Sequence, residues 1–238
     1  KDINTIQKQE EISDFDSEFL KKNVETWKEK WDSKFGGDIA QQKFVSPSKY
    51  LFLLNYARVY NDEKVLNHVK NTLDIISSSG LNDFVEGGFY RYTVDNEWKI
   101  PHFEKMLYDQ AQMISLFSSA YKVFGDESYK NIVDETITFL NTKMSSKDGL
   151  YFAAMDADTD GEEGKYYSYN LNELRIISEN TDFNLFTSYY NVNPNNPWEN
   201  GKFLLLPNKF KYEKEWLSEN NISKEKISSL KNIWVANI

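Results

Sequence analysis

Apolar positions along this chain fall into two alternating helical signatures, one thick and one thin. The thick one runs through Tyr50, Leu51, Leu53, Leu54, Tyr56, Ala57, Val59 and Tyr60. It covers nearly the whole circumference of a helix, which predicts burial on several sides. Ser46-Pro47-Ser48 opens that helix, because proline at the first helical position forfeits only an N–H that would be unpaired anyway. Asn61-Asp62-Glu63 turns the chain, and Val65, Leu66, Val69, Leu73 and Ile76 then make the single stripe of an outer helix. The pattern repeats. Phe103, Met106, Leu107, Ala111, Ile114, Phe117 and Tyr121 predict a second thick helix, with Pro101 and His102 at its start. Gly125-Asp126-Glu127 turns it, and Tyr129, Val133, Ile137 and Leu140 predict a second one-faced helix. A shift of 64 positions lays Tyr60-Asn61-Asp62-Glu63 on Phe124-Gly125-Asp126-Glu127, Val69 on Val133, Thr72 on Thr136, Leu73 on Ile137 and Ile76 on Leu140. The repeating unit is a helical hairpin, one buried helix followed by one amphipathic helix.

The remaining segments fit around these hairpins. Phe15, Phe19, Leu20, Val24, Trp27 and Trp31 line one face of a lead helix within residues 1–33, with Ser13 or Asp14 as its cap, and Gly36-Gly37 breaks the pattern. The domain expectation is therefore a lead helix over 1–33 and a helical-hairpin domain over 34–238. Between hairpins, Gly87-Gly88-Phe89-Tyr90-Arg91-Tyr92, Gly149-Leu150-Tyr151-Phe152 and Lys165-Tyr166-Tyr167-Ser168-Tyr169 alternate in the manner of short β-hairpins. Asn170-Leu171-Asn172-Glu173-Leu174 reads as a capped short helix, Pro194 and Pro197 mark a turn-rich loop, and Leu217 to Val235 holds one or two more helices. Stacked hairpins describe either an open solenoid or a closed toroid. Long loops rich in Tyr, Asp and Gly on one side favour the toroid, whose loop face builds a pocket.

Composition narrows the chemistry. Thirty-seven acidic residues against 28 basic ones give a net charge of -9, which disfavours phosphate backbones, so no nucleic-acid partner is expected. No apolar run reaches membrane-spanning length, no signal peptide is visible, and a cytoplasmic location is expected. The absence of cysteine excludes disulfides, thiol nucleophiles and thiolate metal sites from this chain, and two histidines, His68 and His102, are too few for a histidine-rich one. No metal and no cofactor are expected.

The densest polar segment is Trp98-Lys99-Ile100-Pro101-His102-Phe103-Glu104-Lys105-Met106-Leu107-Tyr108-Asp109. Read as helical, it sets His102, Lys105 and Asp109 on one face, and a histidine at a helix N-terminus suits a neutral base near pH 7. Glu104 and Asp109 can orient or charge-balance it. The structural alternative is a histidine capping a loop and a Lys105–Asp109 pair bridging helices. Asp156-Ala157-Asp158-Thr159-Asp160-Gly161 starts like a calcium loop, but Tyr167 stands where the twelfth-position Glu should be and no exiting helix follows. These acids can still serve acid/base chemistry or hydroxyl recognition, or form an acidic surface turn. Tyr90, Arg91 and Trp98 can line a pocket, since aromatic faces pack sugar rings and Arg reads carboxylates or hydroxyls. His68, on the outer helix, is given no role.

Gly87-Gly88-Phe89-Tyr90-Arg91-Tyr92, Pro101-His102-Phe103-Glu104-Lys105-Met106-Leu107-Tyr108-Asp109, and Asp156-Ala157-Asp158 with Glu163-Gly164-Lys165-Tyr166-Tyr167 together resemble the thioredoxin-domain-containing family related to spermatogenesis-associated protein 20. The resemblance covers about residues 32–206. Phe35-Gly36-Gly37 followed by Lys43-Phe44 matches that family's first glycine motif, with Gln42 and Val45 in place of its usual prolines, and Tyr90 stands where many members carry His. It implies an all-α fold of helical hairpins from an (α/α)6 toroid, six-hairpin glycosidase-like and similar to N-acylglucosamine 2-epimerases, with short β-hairpins in the loops. A carbohydrate-type pocket follows from it, with the reaction undefined and a sugar or sugar-like small molecule as partner. A thioredoxin-like domain and later hairpins of a full-length protein are implied as further partners. Expected acid/base groups are His102, Glu104, Asp109, Asp156 and Asp158, and expected substrate-binding groups are Tyr90, Arg91, Trp98, Lys105 and Glu163. The rival expectation is a non-catalytic scaffold or partner-binding module. Six hairpins need roughly 300–400 residues, so 238 are expected to form an incomplete ring that exposes apolar surface and does not catalyse alone.

Overall fold

The computed structural model describes residues 17–207 and 213–238. Helix α1 (Ser17–Lys28) leads into two hairpins, α2 (Pro47–Tyr60) with α3 (Glu63–Ser77) and α4 (Leu107–Phe124) with α5 (Glu127–Phe139). The expected cap at Ser13 or Asp14, and Phe15, lie outside the described residues. Helix α2 packs against both α3 and α4, and α4 against both α2 and α5, so α2 and α4 are the inner pair. Both hairpin turns use the same device. Asn61 and Gly125 adopt the left-handed conformation (φ 52° and 65°), and Asp62 and Asp126 cap the next helix by accepting backbone N–H bonds. Proline stands at the start of α2, as expected.

The second outer stripe differs from expectation. Tyr129, Ile132, Thr136 and Phe139 are buried on α5, whereas Ile137 is 41% exposed. Thr72 and Thr136, equivalent in the repeat, are both buried, so the repeat holds at threonine while the apolar face rotates around it. One turn of π-helix (Leu140–Met144) then ends α5.

Because each hairpin turn is two residues long, the long connections all fall at the N-terminal ends of α2 and α4. There β1 (Lys43–Phe44), β2 (Tyr92–Thr93) and β3 (Pro101–His102) form an antiparallel sheet in the order β1-β2-β3. Strand β4 (Lys105–Met106) pairs β5 (Ala154–Met155), and β6 (Asp158–Thr159) pairs β7 (Glu162–Glu163). Further on, β8 (Ser168–Tyr169) pairs β9 (Phe203–Leu204). Of the expected strand-like runs, Gly87–Tyr92 contributes only its last residue to a strand. Gly149–Phe152 makes a single bridge, from Tyr151 to Ser145, and a 3₁₀ turn (Lys165–Tyr167) precedes β8.

One apolar core fills the space among α1 to α5, reaching from Val24 to Tyr167. A second core, around Phe186, Tyr190 and Trp234, is built by α6 (Leu171–Ile177), α7 (Phe183–Tyr189), α8 (Glu213–Glu219) and α9 (Lys224–Ala236). Asn170 and Glu173 close the expected cap of α6 as a reciprocal capping box. No helix among the described residues is long and apolar enough to cross a membrane.

Candidate active site

Residues 101–106, expected to open the second inner helix, are extended. Pro101–His102 pairs with Tyr92–Thr93, Lys105–Met106 pairs with Ala154–Met155, and the helix starts only at Leu107. His102 therefore does not sit at a helix N-terminus, and His102, Lys105 and Asp109 do not share a helical face. The extended backbone alternates instead: Phe103 and Lys105 point inward and are buried, while His102 and Glu104 point outward and are partly exposed.

On the outward side the register stacks three rings. Phe44, Tyr92 and His102 are direct cross-strand neighbours, with ring centroids 4.5 and 4.9 Å apart. The ladder fixes the imidazole plane. Nδ1 of His102 lies 2.7 Å from Oε1 of Glu163, and Nε2 faces Oε2 of Glu104 at 3.8 Å. Glu104 Oε2 in turn accepts a 2.8 Å bond from Nη1 of Arg91. Asp109, in the first turn of α4, is half-buried, and its Oδ2 is a buried atom without a hydrogen-bond partner. Burial pushes its carboxyl up to about 6; Arg91 pulls the other way and Glu104 adds to the rise. Two carboxyl groups with separated environments stand here, one bonded to a guanidinium and one desolvated.

Asp156 and Asp158 lie in the same loop region. Met155 is opposite Lys105, which sets Asp156 next in line beside Glu104, and Asp158 is the cross-strand partner of Glu163. Both are exposed, and Asp156 accepts the backbone N–H of Asp158. The Asp-Gly pair in this motif makes a tight hairpin turn, with Asp160 and Gly161 both at positive φ (54° and 78°) between β6 and β7.

Three expected substrate contacts, Lys105, Tyr90 and Trp98, are turned away from this cluster, and Trp98 borders a separate cavity instead. Lys105 has no side-chain exposure; its Nζ donates to Asp83 Oδ2 at 2.5 Å and to the Gly87 carbonyl at 2.9 Å, under the rings of Tyr90 and Phe139. Tyr90 is buried edge-on against Phe103 and Tyr167, and burial, with Asp83 nearby, holds its phenol well above the ordinary value. Trp98 is 1% exposed, donates from Nε1 to the Phe35 carbonyl at 2.9 Å and carries a positive φ of 62°. All three are taken inward by pairing with residues far away in sequence. Arg91, His102, Glu104, Asp109 and Glu163 remain grouped at the loop face.

Several residues of the region escaped the sequence reading. Asp83 also caps its own turn by accepting from the N–H groups of Val85 and Glu86. Gln110 clamps Phe89, accepting its N–H at 2.8 Å and donating to its carbonyl at 2.7 Å, entirely buried. Nothing in the spacing of Asp83 or Gln110 separates them from ordinary turn and helix residues; only Gly87-Gly88, which lets this backbone approach Phe139 and Gln110, hints at the close packing. His68 is buried and stacked flat on Trp31 at 3.8 Å, and burial lowers its pKa to about 4.

Paired inner and outer helices with their long loops gathered at one end define the helical-hairpin architecture of the (α/α)6 toroids. Solved structures agree. A sugar epimerase from a ruminal bacterium superposes with a TM-score of 0.51 at 22% identity, covering 65% of this chain and 44% of that one. A cellobiose 2-epimerase from Bacillus thermoamylovorans gives 0.50 at 14% identity, covering 93% of this chain and 71% of that one. These likenesses establish the fold alone. No family model matches the chain.

In sequence the chain is homologous to spermatogenesis-associated protein 20. The human and mouse proteins are each 34% identical over 159 residues, 63% of this chain. An uncharacterised protein of Caenorhabditis elegans is 32% identical over 160 residues. The chain spans about a fifth of the length of the curated relatives it matches, 20% for the human protein and 22% for the nematode one.

Proposed function

We propose that the loop face carries a saccharide-directed acid–base site with His102 as its proton-transfer group. One observation carries the reading: the His102 ring is held flat by Tyr92 and flanked by a carboxylate at each nitrogen. With Nδ1–H donating to Glu163, the Nε2 lone pair is left open, since Glu104 at 3.8 Å is too far for a hydrogen bond. Nε2 can then remove a proton from the carbon next to the carbonyl of an open-chain sugar. The C–H electron pair moves into the new C=C bond and the carbonyl pair onto oxygen, forming an enolate, which is an enediolate where that carbon carries a hydroxyl. Rotation about the bond to the next carbon presents the opposite face to the same imidazolium, and return of its proton there completes an epimerisation, with no oxidant or reductant consumed. The imidazolium formed midway is stabilised by Glu163 and Glu104. Arg91 and Asp109 supply hydrogen bonds to sugar oxygens, with Asp156 and Asp158 at the rim. The epimerase fold of the structural neighbours supports the substrate class.

The test is solvent exchange. Incubated in D2O with cellobiose or N-acetylglucosamine, full-length protein should incorporate deuterium at C2, read by proton NMR, and His102→Gln should abolish it while melting as wild type does. No exchange by the wild type on either sugar would sink the reading.

The burial of Phe103 and Lys105 within the motif, and of Gln110 just after it, favours a second reading: a non-catalytic module that docks a thioredoxin-like domain. Under it the same motif is a hydrogen-bond network fixing the loops. His102→Gln would then lower the melting temperature markedly and leave no exchange to lose.

A further inference from the structure

A cavity of about 670 Å³ lies away from the acid–base cluster, between the residues that follow α3, the tip of the β2–β3 hairpin and residues 191–207. None of Arg91, His102, Glu104, Asp109 or Glu163 lines it. The hairpin separates the two places. His102 faces outward from β3, whereas Phe103 faces inward and packs on Trp198, a cavity wall, at 5.5 Å between ring centroids. The volume lies within the range that encloses a small ligand, about 300–1,000 Å³.

The lining specifies what could fit. Trp198 with Leu204 and Val192 supplies an apolar wall, and the exposed Asn191, Asn193 and Asn196 line the cavity beside it. The side chains of Asn191 and Asn196 make no hydrogen bond to another described residue, and Asn193 uses only its Oδ1, accepting from the Asn195 N–H. One of the two lysines that line the cavity is offset by its lining carboxylate, and the other keeps its charge. Lys99 is ion-paired with Glu97, and Lys34 sits 4.4 Å above the Phe35 ring. Ser78 and Ser79 follow the C-terminal end of α3, whose carbonyls repel an anion. A flat apolar wall edged by uncharged groups that both donate and accept is complementary to a neutral polyhydroxylated ring, apolar on its faces and hydroxylated around its edge.

We infer that this cavity is a second binding site, for a neutral saccharide of one or two rings held on Trp198 and the Asn191–Asn196 amides. It does not depend on proton transfer at His102, so the two sites can fail separately. Saturation-transfer NMR on the full chain, with cellobiose and N-acetylglucosamine as separate probes, tests it. At least one probe should give transfer in the wild type, and His102→Gln should retain it. Asn196→Leu, an exposed change, and Trp198→Ala should each weaken binding by about tenfold, with melting curves recorded for both. Trp198 is partly buried, so Asn196→Leu decides the matter if Trp198→Ala fails to fold. Absence of transfer from both probes at tens of millimolar overturns the inference. So does transfer that Asn196→Leu leaves intact, or that vanishes in His102→Gln.

Discussion

Replacing Lys105 by methionine keeps the length of the side chain and removes its charge. The wild-type ammonium is fully buried, 2.5 Å from an Asp83 carboxylate whose side chain is 4% exposed. The substitution also deletes a 2.9 Å bond to the Gly87 carbonyl and the cation's contacts with the Tyr90, Phe139 and Tyr167 rings. Removing one member of a buried ion pair strands the other, at a cost of about 3–5 kcal/mol. For a chain of this size that lowers the melting temperature by about 6–20 °C. Calorimetry on wild type, Lys105→Met, Asp83→Asn and the double variant closes a thermodynamic cycle. The amide oxygen that Asp83→Asn leaves in place can still accept the Val85 and Glu86 N–H groups, so the double variant strands no charge. It should melt above Lys105→Met, with a coupling of about 0.5–3 kcal/mol. A loss under about 1 kcal/mol for Lys105→Met, small beside the expected cost, refutes the reasoning, as does a double variant that melts no higher than the single.

Two further outcomes follow from local geometry and from titration. Gly88→Ala should be far more damaging than Gly125→Ala although both have positive φ (77° and 65°). A Cβ at Gly88 would meet Phe139 at 2.6 Å, whereas one at Gly125 meets nothing within 4 Å and bears only the left-handed backbone cost of about 1–2 kcal/mol; equal losses in urea melts would contradict this. Asp109 and His68 should impose opposite pH slopes on stability. The carboxyl, raised to about 6 in the folded chain, binds its proton better there than when unfolded (about 3.9), so its contribution falls as pH rises between those values. The imidazole, lowered to about 4, binds its proton less well than when unfolded (about 6.5), so its contribution falls as pH drops through that window. The two oppose each other over most of pH 4–6. Asp109→Asn should unmask a stability that rises with pH, and His68→Phe, which preserves the stack on Trp31, one that declines. Unchanged slopes in urea melts from pH 4 to 7 would count against both assignments.

Local chemistry made both hairpins legible. Asn61-Asp62 and Gly125-Asp126 hold all the information their turns require, a left-handed residue followed by a side-chain cap, and the Asn170–Glu173 box is equally self-contained. The (α/α) architecture follows from alternating thick and thin apolar faces, because a helix apolar on all sides must be surrounded. The grouping of His102, Glu104 and Glu163 is legible in the sequence only as a set of residue types. Its geometry is not, because residues 101–106 carry a helical apolar spacing that tertiary pairing overrides. Partners at 92–93 and 154–155, distant along the chain, draw the segment into strands. That pairing decides which way every side chain points. It sends His102 and Glu104 outward together and takes Lys105 inward to Asp83, 22 residues away in sequence. A periodic sequence can state which helix is inner and where it turns. It cannot state strand register, since a one-residue slip exchanges the two faces of a strand. The hairpins were therefore determined by the sequence itself, and the site by contacts that exist only once the loops have met.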